Sequence, residues 1–89
     1  MKPIELARCL QYAKNECEKL REDALLEGVE IDFNCKAYDT TMSYMGYGIR
    51  FYVSFFGITE EYFTGDEKEE RELKARINEQ IARIRREIL

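Results

Sequence analysis

The spacing of the hydrophobic residues changes twice along this 89-residue chain, and each spacing permits only one kind of regular structure. It is helical over residues 3–27. Apolar and polar residues then alternate over residues 29–38 and 47–56, which is typical of half-buried strands. The helical spacing returns over residues 65–88. The sequence therefore predicts a long helix, two strands and a second long helix.

The first helix is predicted to bury a narrow apolar seam. Its seam residues recur at alternating spacings of four and three, as in a heptad repeat: Leu6, Leu10, Ala13, Cys17, Leu20 and Ala24. Pro3 suits the first turn, where no hydrogen bond is lost through its missing N–H. Gly28 suits the position just after the helix, where a residue in the left-handed backbone conformation ends it.

The last helix is predicted to start near Gly65, with Thr64 or Asp66 as its cap and a glutamate three residues further on. Acidic residues at its start and arginines at its end both complement the helix dipole. Its apolar stripe consists of Leu73, Ile77, Ile81, Ile84 and Ile88.

These elements predict one α+β domain over residues 1–89, an antiparallel β-hairpin with both helices on one face of the sheet (αββα). Residues 58–64 fit either a strand beyond a bulge or a helical turn. Because a two-stranded ribbon has two open edges, we expect a homodimer, or a partner that adds to the sheet.

The missing residue types argue against an enzyme. The chain contains no histidine, and its three cysteines, Cys9, Cys17 and Cys35, have no CxxC spacing. Without the commonest general base and metal ligand, we expect no catalytic residues, metal or cofactor, and we interpret the cysteines as packed thiols.

The charge and the apolar runs bear on partners and location. A net charge of −4 is the opposite of the basic excess that general nucleic-acid binding uses, so we do not expect nucleic acid as a partner. The short apolar runs and the acidic start predict neither a membrane span nor a signal peptide, and hence a cytoplasmic protein.

The connection between the strands, residues 39–48, is unusual because loops seldom carry large apolar and aromatic side chains. Tyrosine and methionine are common where proteins dock. We therefore predict a partner-binding set that continues onto the outer side of the second strand: Tyr38, Met42, Tyr44, Met45, Tyr47, Tyr52 and Phe56. The alternative is that these side chains fold back over the core or over the far face of the sheet.

Acidic residues concentrate between residues 60 and 72. They are either a solvated helix start or a surface offered to a basic partner, which would imitate a phosphate backbone. The candidate acidic surface is Glu60, Glu61, Asp66, Glu67 and Glu70.

The absence of catalytic groups and the aromatic connection together predict a small non-enzymatic protein-interaction module. A regulator, inhibitor or adaptor fits this description, including an accessory protein of a phage or mobile element that blocks a host factor. Two alternatives stay open. One is a nucleic-acid-associated protein that uses the basic end of the last helix around Arg83, Arg85 and Arg86, and the other is a small-molecule sensor.

Overall fold

The computed structural model describes residues 1–40 and 46–89. Three antiparallel strands form one sheet in the order of the chain. The helix at each end of the chain packs against this sheet, which confirms the α+β class. The five elements are α1 (Pro3–Leu26), β1 (Asp32–Thr40), β2 (Gly46–Phe55), β3 (Ile58–Phe63) and α2 (Glu70–Ile88).

The segment that the sequence left open forms β3, so the sheet has three strands rather than two. Phe56 and Gly57 make the turn between β2 and β3, with φ values of 48° and 76°. Positive φ at both turn residues matches the twist of a tight hairpin. The turn sets Phe55 opposite Ile58. As a result, β3 pairs with the edge of β2 that is not paired with β1.

The helix α2 starts at Glu70 rather than near Gly65, and the prediction of Thr64 or Asp66 as its cap is wrong. Glu69 is the N-cap residue, and it makes no side-chain capping bond. The backbone of Glu67 instead exchanges two hydrogen bonds, of 2.8 and 2.9 Å, with the backbone of Tyr47. A peptide unit bonded to the central strand β2 is not free to begin a helix, which delays the start of α2.

The two helices lie side by side and run in the same direction. Arg8 pairs with Glu70 near their N-terminal ends at 2.7 Å, and Asp23 pairs with Arg85 near their C-terminal ends at 2.9 Å. The two helices contribute nine of the buried apolar residues: Cys9, Ala13, Cys17, Leu20, Ala24, Leu73, Ile77, Ile81 and Ile84.

The inner face of the sheet is the face that packs on the helices. Its central residues Ile49, Phe51 and Val53 are fully buried and belong to the same cluster as the helix residues. Tyr62 of β3 also lies on this face, where its hydroxyl donates to the Glu87 carboxylate of α2 at 2.5 Å. Burial and this contact raise the pKa of Tyr62 to about 12.

Thr64 is a buried polar residue, and its hydroxyl oxygen accepts a hydrogen bond from the backbone N–H of Ile49 at 2.8 Å. We expect Thr64→Val to lower the free energy of unfolding by about 1–3 kcal/mol, since a buried donor loses its partner without a change of shape. Urea unfolding measures the effect. Thr64→Ser keeps the hydroxyl, removes only the γ-methyl group and is the control, which we expect to lose less stability. A Thr64→Val loss no larger than that of Thr64→Ser would contradict a dominant role for the hydroxyl.

Candidate protein-docking surface

The partner-binding residues predicted from the sequence do not form one patch. Tyr38 and Tyr52 lie on the outer face of the sheet, the side away from the helices, whereas Tyr47 lies on the inner side. Phe56 is at the opposite end of the sheet from the β1–β2 connection. The remaining three, Met42, Tyr44 and Met45, lie outside the described residues.

Tyr38 is held by several contacts. Its ring lies over Gly48 on the neighbouring strand, and its hydroxyl donates a hydrogen bond to the carbonyl of Thr64. The Arg50 guanidinium lies 5.5 Å from the ring centroid. Burial and the nearby Asp66 carboxylate raise the pKa of the phenol. Tyr38 therefore ties β1 to the segment after β3, which is a structural use of the side chain.

The predicted acidic surface is interrupted by ion pairs. Glu61 lies 3.3 Å from Arg50, and Glu67 lies 2.9 Å from Arg76. The hydrogen bond from Arg8 lowers the pKa of Glu70. Local neutralisation of these carboxylates weakens the resemblance to a phosphate backbone.

A second candidate surface lies where α1 ends and β2 turns into β3. Leu26 is 87% exposed and Phe56 is 83% exposed, and Leu25 and Ile58 are each more than half exposed. We call these four residues the apolar end. Topology brings them to the same end, because only residues 27–31 separate α1 from β1, and the first residues of β1 pair with the last residues of β2.

Sequence reasoning missed most of the apolar end. The signal was present, because Leu25 and Leu26 follow Ala24 directly, so that apolar residues cover more of the circumference of α1 than its seam requires. The structure buries Ala24 and leaves the two leucines outside.

A depression of about 480 Å³ opens beside the apolar end. Its lining includes the acidic residues Glu30 and Asp32 and the aromatic residues Phe55 and Phe56. Among the described residues, neither carboxylate has an ion-pair partner. The surface therefore combines exposed apolar side chains with uncompensated negative charge.

Phe56 has an uncommon backbone conformation for a bulky residue. Its φ of 48° lies in the left-handed region, which asparagine and glycine enter most readily. Its ring meets the Phe55 ring edge-on, with the centroids 6.2 Å apart, and remains exposed. Neither burial nor backbone preference explains a phenylalanine at this position, which makes it a candidate for contact with another molecule.

Residues 1–40 and 46–89 contain no group of three metal-ligating side chains. No helix in this part of the chain is long and apolar enough to cross a bilayer. Compared with family models, curated proteins and solved structures, the chain matches none.

Proposed function

We propose that this protein is a non-enzymatic interaction module that binds a partner protein through the apolar end. The observation that supports the proposal best is the exposure of Leu26 and Phe56 at one end of the molecule, together with Leu25 and Ile58. Exposed large apolar side chains gathered at one end of a molecule are candidates for association, because large apolar patches on soluble proteins mark such sites. The left-handed Phe56 adds a second reason, because residues in sparsely populated backbone conformations cluster at sites that contact a ligand or partner.

The chemistry of the surface indicates the kind of partner. A partner that offers an apolar side chain next to a lysine or arginine would fit the apolar end, because its cationic group in the depression would meet Glu30 and Asp32. The ring of Phe56 can contact the stem of that side chain or its charge. Two copies of this chain meeting end to end would bring the same carboxylates together, so we propose a different protein at this end.

The homodimer expected from the sequence remains a proposal for another surface, the free edge of β3. The sheet order leaves that edge without a neighbouring strand among the described residues. Two of the three arginines behind the nucleic-acid alternative, Arg83 and Arg85, each pair with a carboxylate, which does not favour that alternative.

Phe56→Asn should separate binding from stability. We expect the free energy of unfolding to rise by about 1 kcal/mol, because Asn-Gly is the preferred sequence for a turn with two positive φ values. We expect affinity for the partner to fall at least about tenfold, as for an aromatic hot spot. Chemical denaturation measures the first effect, and quantitative affinity capture from a host lysate measures the second.

Matched variants make this capture experiment specific. Leu26→Ser should also lose the partner, whereas Ile4→Ser alters a side chain that is 59% exposed at the start of α1 and should retain it. A partner retained by both end variants would contradict the proposal. A partner that disappears after nuclease treatment would favour the nucleic-acid alternative.

A further inference from the structure

Two of the three thiols lie in direct contact. The Sγ atom of Cys17 on α1 is 3.3 Å from the Sγ atom of Cys35 on β1, and both cysteines are free. A disulfide bond measures about 2.05 Å, so closing it requires an approach of only about 1.3 Å. The two cysteines are 18 residues apart on consecutive elements, and the packing of α1 against β1 brings the two sulfurs together.

The thiol pair also borders a route from solvent. A depression of about 220 Å³ reaches both cysteines. This volume admits a molecule of the size of hydrogen peroxide. Its lining consists of Lys14, Cys17, Glu18, Phe33, Asn34 and Cys35.

The two thiols differ in acidity. Either thiol can donate the hydrogen bond that joins the two sulfurs. With Cys17 as the donor, this bond and the nearby Lys14 ammonium lower the pKa of Cys35. The same hydrogen bond and burial raise the pKa of Cys17. A thiolate is the nucleophilic form of cysteine, so the lowered pKa favours Cys35 as the sulfur that attacks.

We propose that Cys17 and Cys35 form a redox-active dithiol that a hydroperoxide oxidises to an intramolecular disulfide. The Cys35 thiolate attacks one peroxide oxygen, the O–O bond breaks, and the departing oxygen takes up a proton. The sulfur of Cys17 then attacks the sulfenic acid on Cys35, the S–S bond forms, and water leaves with the Cys17 proton. Two thiols and one hydrogen peroxide thus become one disulfide and two waters, and the peroxide accepts the two electrons.

Cys9 provides a comparison within the same chain. It is fully buried, and its thiol donates to the Glu70 carbonyl oxygen at 3.7 Å. Burial raises its pKa. Because it contacts no second thiol among the described residues, it has no partner for a disulfide, and we expect it to remain reduced.

The test treats the folded, reduced chain with hydrogen peroxide and counts alkylatable thiols by mass spectrometry after unfolding. We expect the count to fall from three to one, with a Cys17–Cys35 cross-linked peptide and full recovery after dithiothreitol. Cys9→Ser should preserve the cross-link, and Cys35→Ser should abolish it. If a variant fails to fold, the peptide map of the oxidised wild-type chain alone shows whether the Cys17–Cys35 cross-link forms. Oxidation only under denaturing conditions, a cross-link that involves Cys9, or cross-links between chains would overturn the proposal.

Discussion

Replacing Phe51 by alanine should lower the free energy of unfolding by about 3–5 kcal/mol. Phe51 is fully buried in the central strand, between Cys35 on β1 and Tyr62 on β3. The packed core around it cannot collapse into the space without moving two neighbouring strands, so a cavity remains. A domain of 89 residues has a total stability of about 4–13 kcal/mol, so this single change removes a large part of it.

Phe63→Ala is the matched control, because it deletes the same side chain from the adjacent strand. Phe63 lies on the outer face and is 61% exposed, so we expect a loss below about 1 kcal/mol. Urea unfolding of both variants gives the comparison. Similar losses would mean that the outer face is packed against something in the free protein and that Phe51 is not the centre of the core.

Gly48→Ala should cost about 2–3 kcal/mol, the second large effect that the structure predicts. A Cβ atom at this position would lie 2.7 Å from Cε1 of Tyr38, whose ring covers the glycine from the opposite strand. To relieve the clash, the ring must leave its place, which breaks the hydrogen bond from its hydroxyl to the carbonyl of Thr64. The loss therefore arises from a displaced aromatic ring and not from backbone strain.

A double-mutant cycle with Tyr38→Ala tests this explanation of the Gly48 effect. Once the ring is absent, Gly48→Ala should cost little or even stabilise the strand, since alanine loses less backbone entropy than glycine. The coupling energy between the two positions should reach about 1–3 kcal/mol. A Gly48→Ala cost that is the same in both backgrounds would show that the Tyr38 ring is not the obstacle.

Most of the fold could be predicted because local spacing reports which side of an element is buried. The alternation over residues 47–56 placed Ile49, Phe51 and Val53 on the inner face, where the structure has them. The stripe from Leu73 to Ile84 likewise forms the buried side of α2. The start of α2 was misplaced because capping signals are local, whereas the backbone bonds between Glu67 and Tyr47 join distant parts of the chain.

The candidate sites were harder to predict than the elements. The aromatic residues Tyr38, Tyr52 and Phe56 looked like one set in the sequence, but the strands distribute them over a face and a turn. The apolar end and the thiol pair each combine residues from separate elements. Neither site has a sequence motif. The number of residues between its members depends on the lengths of the elements and connections that lie between them, so no fixed spacing marks the site.

By itself, the sequence determined the type of each main element and the residues that each turns toward the core, because burial of apolar side chains imposes a period of about 3.6 on a helix and of 2 on a strand. Only the tertiary structure decided that residues 58–63 form a third strand and that Leu26 and Phe56 share one end. It alone also placed the sulfurs of Cys17 and Cys35 in contact. These features depend on hydrogen-bond register and on how the elements pack against one another, which local periodicity does not encode.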